Sequence, residues 1–528
     1  MRFRPEAVQL ELFTHRFAAV ARQMGERLQR TAVSTNVKER LDFSCALLDA
    51  AGELVVNAPH IPVHLGALGL CVRKLADAVR MEPGDVWVTN HPAFGGSHLP
   101  DVTVVTPVFA DPRDGGAPPP LLGYVASRAH HAELGGIRPG SMPPRARRLA
   151  EEGVVIPPMR LVRRGEPRWA AIRRLLLAPP FPTRAVEENL ADLRAAAAAS
   201  HGGAEALRGL ARQHGEAAVA HYMNALETQA EERLRAALAR LPERELTATE
   251  RLDDGSPLTV RIEIAAAAPK AAVFDFSGSA PVHPGNLNAP PAVVRAAVIY
   301  VLRLLVAEPL PLNEGLLRPV EIRLPPGMLN PPFPPDPWQA PAVVGGNVET
   351  SQRLVDTLLK ALGLAACSQG TMNNLLFGNE RFGFYETVCG GAGAGPGFAG
   401  ASAVHTHMTN TRITDPELLE HRYPVRLERF AVRTGSGGAG RFHGGDGTVR
   451  ELTFLAGMSL SLLTQHRVEA PYGVAGGHPG LPGRQRLVRA GGEVEELSPI
   501  DGREVEPGDR LILETPGGGG WGEPGGPA

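Results

Sequence analysis

The sequence predicts an α+β fold of several layers, with a β-rich body, a helical insertion and a glycine-rich β region toward the C-terminal end. Short segments with alternating apolar and polar residues recur along the chain, as half-buried strands require. Residues 184–241 are instead rich in Ala, Glu, Arg and Leu and contain no Pro, which favours helices. The 60 Gly and 49 Pro residues cluster in particular loops and indicate many turns.

The N-terminal part alternates helical and strand patterns. Residues 5–33 place apolar side chains at helical spacing, and residues 42–56 predict a hairpin. A helical pattern returns over residues 60–80. Residues 85–109 then predict a strand, a Gly-rich loop and a second strand, and residues 121–128 predict another strand. Two strands therefore deliver two His-containing loops to one rim of a sheet.

The remaining chain continues the mixed pattern. Residues 246–280 are strand-like, while residues 292–307 and 349–366 predict helices. The Pro-rich residues 325–346 are too long for a simple connector and predict a docking or lid segment. The predicted regions are 1–183 with the His-containing loops, 184–245 as a helical region, 246–380 as an α+β middle region, and 381–528 as the Gly-rich β region.

Composition excludes several classes of protein. The 528 residues are 43% apolar and 21% charged with a net charge of −2, so no basic field attracts nucleic acid. Apolar stretches are too short to span a membrane, and the first residues lack the apolar core of a signal peptide. We therefore expect a cytoplasmic protein without a membrane partner. The four Cys residues are far apart and form no CxxC pair, which argues against a zinc ribbon and a disulfide scaffold.

No nucleotide-binding fingerprint is present. The Gly-rich segments lack the strand and helix context of a dinucleotide site, and the sequence contains no GxxxxGK[ST] loop. A serine-based triad is not readable either, because no Ser lies in a G-x-S-x-G elbow. Cys389 is interpreted as a buried small residue, since nothing around it signals a lowered thiol pKa.

The strongest chemical signal is a pair of His-containing loops. His98 and Asp101 are three residues apart in GGSHLPD, and His130 and His131 follow in HHAELGG. Imidazole and carboxylate groups are ligands for Mn, Zn or Fe, and a bound metal lowers the pKa of its water. The four residues are thus predicted metal ligands, with His98, Asp101 and His131 also predicted to be catalytic. The alternative is that they are ordinary polar residues at strand ends.

Glycine pairs flank both loops. Gly95-Gly96 precede the first pair of ligands, and Gly135-Gly136 follow the second. Because glycine lets backbone come close to a ligand, these four residues are predicted to contact substrate.

Other polar residues leave alternatives open. His60 and His64 are separated by a Pro and are interpreted as structural. His405 and His407 alternate, so they form either a buried polar patch or a second ligand pair. Arg353 and Asp356 are interpreted as an intrahelical ion pair. Asn410 and Arg412 belong to a polar stretch that is either solvated surface or an anion-binding, substrate-contacting segment.

Taken together, long segments resemble the hydantoinase B/oxoprolinase family across nearly the whole chain. The matching segments, in order, are ERLDFSCALLDAAGELV (39–55), HIPVHLG (60–66), GDVWVTNHPAFGGSHLPDVTVVTPVF (84–109), SRAHHAELGGIRPGSMP (127–143), EEGVVIPP (151–158), DFSGSA (275–280), GGAGAGPGFAGASAVHTHMTNTRITDPELLE (390–420), SGGAGRFHGGDG (436–447) and PGGGGWG (516–522).

This resemblance implies the catalytic, metal-binding half of an ATP-dependent cyclic-amide hydrolase that opens hydantoin, 5-oxoproline or related lactam rings. It further implies a hydantoinase A-like ATPase partner that binds ATP and phosphorylates the carbonyl oxygen of the small cyclic amide. The pair would form a hetero-oligomer, with α2β2 as one arrangement. An acetone or acetophenone carboxylase subunit and a non-catalytic scaffold partner are the alternatives.

Carried onto this chain, the family's metal ligands correspond to His98, Asp101 and one or both of His130 and His131. Two positions depart from the family pattern. His91 stands where the family usually has Asp, and Glu133 stands where it usually has Asp. We expect these departures to bear on the metal or on the range of substrates.

Overall fold

The computed structural model describes residues 6–58, 61–112, 118–241, 244–265, 269–306 and 308–525. Within these residues the chain forms four sheets with helices packed against them. The helices are α1 Glu6–Thr31, α2 Thr35–Lys38, α3 Ala67–Ala78, α4 Leu149–Glu152, α5 Trp169–Leu177, α6 Val186–His214, α7 Glu216–Ala239, α8 Pro291–Leu305, α9 Ser351–Leu362 and α10 Pro416–Arg422. None of these described helices has the length and apolar character needed to cross a bilayer.

The N-terminal sheet pairs its described strands antiparallel throughout and has the order β2-β1-β5-β4-β3-β6-β7. Its long central strands are buried on both faces. Helices α1 and α6 cover one face through a large apolar cluster, and α3 covers the other face. The strands are β1 Phe43–Leu48, β2 Leu54–Asn57, β3 Val86–Thr89, β4 Asp101–Phe109, β5 Leu121–His130, β6 Met159–Arg163 and β7 Glu166–Pro167.

A second sheet of order β11-β10-β9-β8 packs against α8 and α9. The apolar core of this sheet includes residues from other parts of the chain. Val63 before α3, Leu234 on α7, Val298 on α8 and Leu463 in a C-terminal strand all belong to the same apolar cluster. The strands are β8 Arg244–Arg251, β9 Pro257–Ile264, β10 Ala272–Asp275 and β11 Val320–Arg323.

The C-terminal part contains two antiparallel sheets, of orders β13-β12-β16-β19 and β14-β15-β20-β17-β18, which share one core. The strands are β12 Asn374–Gly378, β13 Gly383–Glu386, β14 Val425–Arg433, β15 Gly447–Phe454, β16 Met458–Leu463, β17 Arg484–Val488, β18 Val494–Glu496, β19 Ile500–Val505 and β20 Arg510–Glu514.

A glycine-rich layer lies beside these sheets and is held by backbone hydrogen bonds. The Gly518 amide donates to the Gly445 carbonyl at 2.8 Å, and the Gly445 amide donates to the Ala392 carbonyl at 2.9 Å. A Cβ atom on Gly518 would overlap the Ala392 carbonyl oxygen. The segments touch backbone to backbone, so glycine is needed for close approach here.

The α+β fold predicted from the sequence is confirmed, as are the helix over 5–33, the first hairpin and the helical region after residue 184. The Pro-rich segment is more tightly packed than a free lid, since Ala340 and Val343 are buried against Leu99 and Leu149. The intrahelical pair of Arg353 with Asp356 is wrong. Arg353 instead donates to the Arg251 carbonyl at 2.6 Å, because its side chain turns toward β8.

Candidate metal centre

The register of two neighbouring strands brings the central pair of residues together. Strand β4 begins at Asp101 and β5 ends at His130, and these two residues are directly opposite each other in the antiparallel pair. Side chains of directly opposed residues project from the same face of a sheet. The two His-containing loops predicted from the sequence therefore meet at one sheet edge.

The first carboxylate oxygen of Asp101 faces two imidazoles. His98 Nε2 lies 3.1 Å from Asp101 Oδ1, and His130 Nδ1 lies 3.4 Å from the same oxygen. His98 reaches this position because a tight turn precedes β4, in which the Asp101 amide donates to the His98 carbonyl at 3.2 Å.

The second carboxylate oxygen faces a third imidazole and a hydroxyl group. His64 Nε2 lies 3.3 Å from Asp101 Oδ2, and the Ser97 hydroxyl donates to that oxygen at 2.6 Å. The His64 ring is oriented from behind, because its Nδ1 lies 2.9 Å from Ser44 Oγ on β1. His64 is thus part of the cluster, whereas its predicted neighbour His60 lies outside the described residues.

Burial and local charge set the protonation states of this cluster. Asp101 is 1% exposed. Burial alone would raise its pKa, but His98 and His64 outweigh that effect and hold the pKa of Asp101 well below its usual range. Burial lowers the pKa of His130. An ionised carboxylate beside a neutral imidazole is the state that binds a metal ion, since ligands must be deprotonated.

The remaining wall of the site is formed by residues from the middle and C-terminal regions of the chain. Asn347 Nδ2 lies 3.2 Å from His98 Nε2, in a wide helical turn of residues 346–350 that precedes α9. The Tyr385 ring stacks on His130 at 4.6 Å between centroids, and its hydroxyl donates to Asn374 Oδ1 at 2.9 Å. Apolar side chains complete a cavity of about 20 Å³, which has room for one water molecule or ion.

The residues present fit a divalent metal ion. Donor atoms of His98, Asp101 and His130 all lie within 4.8 Å of one another. His130 Nε2 is buried without a hydrogen-bond partner among the described residues. A mixed imidazole and carboxylate set suits Mn, Zn and Fe alike. This part of the molecule has the features of a buried divalent-metal site at a sheet edge.

His131 lies apart from this group. It is buried, and its Nδ1 lies 3.2 Å from the Asn189 amide nitrogen on α6. Burial lowers its pKa. The structure favours His130 over His131 as the ligand, because β5 ends with His130 on the Asp101 face. The predicted catalytic role of His131 stays a prediction.

Glu133 and His91, the two departures from the family pattern, both stabilise loops. Glu133 accepts from the Gly135 amide at 2.7 Å and from the Gly140 amide at 2.9 Å. His91 Nδ1 accepts from the Ala93 amide at 3.0 Å at the start of a short helical turn. An Asp in either position could accept the same kind of bond, so these replacements are compatible with the local fold.

The four glycines predicted to contact substrate approach the protein's own backbone. A Cβ atom on Gly95 would lie 2.7 Å from the Cys71 backbone, and one on Gly136 would lie 2.6 Å from the Glu152 carbonyl oxygen. Gly96 and Gly135 are packed in the same way against the carbonyl oxygens of Asn90 and Phe181. Their direct contact with substrate stays a prediction.

Asn410 and Arg412 follow the segment that lines the cavity, and both are exposed. The Arg412 amide donates to the Arg40 carbonyl at 2.9 Å, and Arg40 also binds the Tyr385 carbonyl at 2.7 Å. The backbone of this segment is therefore fixed near the cluster. The role of Asn410 and Arg412 in holding substrate stays a prediction.

Sequence reasoning missed four supporting residues: Ser44, His64, Asn347 and Tyr385. His64 had a visible signal in HIPVH, but the intervening Pro62 favoured a structural interpretation. Asn347 follows two glycines before a helix, and no spacing connects it to His98.

Comparison with known proteins shows the family to which the chain belongs. The chain belongs to the Hydantoinase B/oxoprolinase family, which it matches over residues 6–524. It is 47% identical to 5-oxoprolinase 1 of Arabidopsis thaliana over 98% of this chain, and it spans 42% of the length of that relative. The B component of a provisionally named D-/L-hydantoinase from Pseudomonas sp. strain NS671 is 29% identical over 96% of this chain and 88% of its own length.

A solved structure also agrees with the fold of this chain. The crystal structure of the ATP-dependent caprolactamase from Pseudomonas jessenii superimposes with a TM-score of 0.86 at 28% identity. The match covers 98% of this chain and 91% of that one. The similarity therefore extends over the whole described fold rather than over the two His-containing loops alone.

Proposed function

We propose that this chain is the metal-binding, ring-opening part of an ATP-dependent cyclic-amide hydrolase of the 5-oxoprolinase and hydantoinase type. The single observation that carries the proposal is the convergence of His98, Asp101 and His130 in a buried cavity. The names of the relatives supply the substrate class, namely 5-oxoproline, hydantoin or a related lactam.

The proposed division of labour places ATP on a hydantoinase A-like partner. The partner transfers the terminal phosphoryl group of ATP to the ring carbonyl oxygen. A first water then adds to the activated carbon, and the ring C–N bond breaks as the nitrogen takes up a proton, which leaves an acyl phosphate. A second water hydrolyses the acyl phosphate to the carboxylic acid and free phosphate. Opening an unstrained lactam is slow and often uphill, which is a chemical reason for coupling it to ATP.

Several side chains of this chain have defined tasks in the proposal. His98, Asp101 and His130 would hold a Mn, Zn or Fe ion, which supplies a water of lowered pKa or polarises an oxygen. Ser97 and His64 fix the Asp101 carboxylate, and Ser44 fixes His64. Outer contacts of this kind set ligand orientation and basicity. Val63 and Met408, which line the cavity, exclude bulk water.

The test combines metal analysis with a product assay. The purified chain, its His98→Ala variant and a His421→Ala control, which removes an exposed imidazole on α10, are analysed for bound metal. Each is then assayed with an A-like ATPase partner, ATP and a panel of 5-oxoproline, hydantoin and caprolactam. We expect His98→Ala alone to lose about one metal equivalent and the ATP-dependent ring-opened product.

Other outcomes select the alternatives. Carboxylated ketone instead of ring-opened acid would favour a carboxylase subunit. Equal metal content in the wild type and His98→Ala, with no product from any substrate, would refute the proposal and favour a scaffold partner.

A further inference from the structure

A second cluster of metal-binding side chains lies outside the candidate centre. Donor atoms of Asp356, Cys367 and His466 lie within 4.8 Å of one another, and all three residues are buried. They come from three separate elements: helix α9, the loop before β12 and the loop after β16. The combination of thiol, imidazole and carboxylate is a ligand set for zinc-like ions.

The orientation of His466 is the second observation. Its Nδ1 lies 2.6 Å from the Glu469 carbonyl oxygen, and a carbonyl only accepts, so Nδ1 carries the proton. The lone pair of Nε2 therefore points toward Cys367 Sγ, which is 3.3 Å away. Metal-bound imidazoles commonly donate their other N–H to a carbonyl in this way.

The backbone around His466 is built for this position. His466 has a left-handed φ of 55°, which is unfavourable for a non-glycine residue and persists where the surroundings require it. The neighbouring Gly370 has no Cβ atom, and a Cβ there would overlap the His466 ring. The backbone conformation of His466 and its close packing against Gly370 thus place the ring beside the thiol.

The Asp356 carboxylate is fixed by its own hydrogen bonds and can still accept a further ligand bond. Asp356 accepts from the Ser368 amide at 3.0 Å and from the Ser368 hydroxyl at 3.1 Å, and His407 Nε2 lies 2.9 Å from its Oδ1. A carboxylate offers about four lone-pair sites. His407 and Ser368, which both contact Asp356, also line a cavity of about 430 Å³, so this cavity lies one side chain away from the buried carboxylate.

We propose that Asp356, Cys367 and His466 bind a second divalent metal ion of the zinc class, with His407 orienting the Asp356 carboxylate. Binding displaces the thiol proton to solvent, so Cys367 and Asp356 together supply two negative charges to the ion. This ion would join α9 to the loop after β16. The site is separate from the proposed ring-opening centre, whose ligands contain no sulfur.

Cobalt provides the test, because thiolate bound to Co²⁺ absorbs strongly in the near ultraviolet whereas imidazole and carboxylate ligands do not. The full chain is freed of metal, kept reduced with a phosphine and titrated with Co²⁺. We expect about two equivalents per chain and a thiolate band. Cys367→Ser should lose one equivalent and the band, while His98→Ala should lose one equivalent and keep the band.

Cys389→Ser removes a different buried thiol and should leave both equivalents and the band in place. A wild type without a thiolate band, or a Cys367→Ser variant with an unchanged band, would overturn the proposal. Circular dichroism verifies the fold of each variant. If Cys367→Ser fails to fold, His466→Gln replaces it, and an unchanged spectrum and stoichiometry in that variant would overturn the proposal equally.

Discussion

Two buried carboxylates, Asp101 and Asp356, are surrounded by imidazoles but are supported differently. Asp101 lies at the start of a strand, and its cross-strand neighbour His130 is fixed by the hydrogen-bonded register of β4 and β5. Asp356 lies on helix α9, and its partners Cys367 and His466 are both on loops. A sheet edge positions ligands within narrow limits, whereas a cluster built from loops depends on the packing of distant segments.

The two sites also differ in what they leave unsatisfied. In the Asp101 cluster, His130 Nε2 is buried without a partner among the described residues. In the Asp356 cluster, the carboxylate, the thiol and the imidazole all have hydrogen-bond partners. We therefore propose that the first cluster is the reactive one, and that an ion in the second cluster would join separate segments of the chain.

The largest expected effect comes from Asp101→Asn. The substitution removes the charge that binds the proposed metal, and loss of that contribution, several kcal/mol, corresponds to about a 10³-fold lower kcat. Asp356→Asn should act chiefly by lowering the melting temperature. Steady-state ring-opening rates and thermal melts of both variants make the comparison. If both variants lose similar amounts of melting temperature and of ring-opening rate, the two clusters do not differ in role.

The His130→Ala and His131→Ala substitutions test which of these two adjacent imidazoles binds the proposed metal. His130→Ala should lose bound metal and lower kcat by about 10³-fold, since an imidazole next to Asp101 is gone. His131→Ala should keep the metal and cost about 1–3 kcal/mol of stability, because the buried Asn189 amide loses a partner. Metal analysis and urea unfolding separate the two. Metal loss in His131→Ala alone would reverse the assignment.

A smaller effect is expected from Ser44→Ala, which removes the group that orients His64. Outer contacts of this type change metal affinity by about 10–100-fold. The affinity is measured by competition with a coloured chelator. Ser200→Ala is the matched control, because the Ser200 hydroxyl is buried without a partner among the described residues. Equal affinities in the two variants would exclude His64 from the metal's surroundings.

A separate prediction concerns the pH dependence of stability and Glu152, whose carboxyl group accepts from the amides of Val343 and Val344 at 2.9 and 2.8 Å. Burial raises the pKa of Glu152 to about 8. The folded protein then binds this proton more tightly than the unfolded chain, so the stabilisation is complete below about pH 4.3 and is lost as pH rises to about 8. We expect the unfolding free energy of the wild type, relative to Glu152→Gln, to fall from pH 5 to pH 8. Parallel pH profiles from urea unfolding would contradict this.

Much of the first cluster could be predicted from sequence because its candidate ligands are close together in the chain. His98 and Asp101 are three residues apart, and His130 ends the next strand, so strand order alone brings the loops together. Choosing between His130 and His131 was not possible, since that choice depends on which residue faces Asp101 in the register. Periodicity likewise identified the long helices but not how the sheets pack.

The second cluster could not be predicted, because Asp356, Cys367 and His466 belong to three elements without a common spacing. Arg353 and Asp356 have the separation of an intrahelical pair, yet tertiary contacts determine both side chains. Arg353 turns to Arg251, and Asp356 turns to Ser368 and His407. Local spacing is a weak guide where a buried charge has stronger partners elsewhere.

The glycine-rich layer has a consequence for synthesis on the ribosome. Gly518 hydrogen-bonds to Gly445, and the Gly519 amide donates to the Cys367 carbonyl at 2.8 Å. A nascent chain cannot complete this layer until residues near 520 have left the exit tunnel. During translation the loop that carries Cys367 therefore stays incomplete until residue 519 has emerged, while the sheet edge that carries Asp101 can form earlier. The maturation of the two clusters is ordered in time by the direction in which the chain is made.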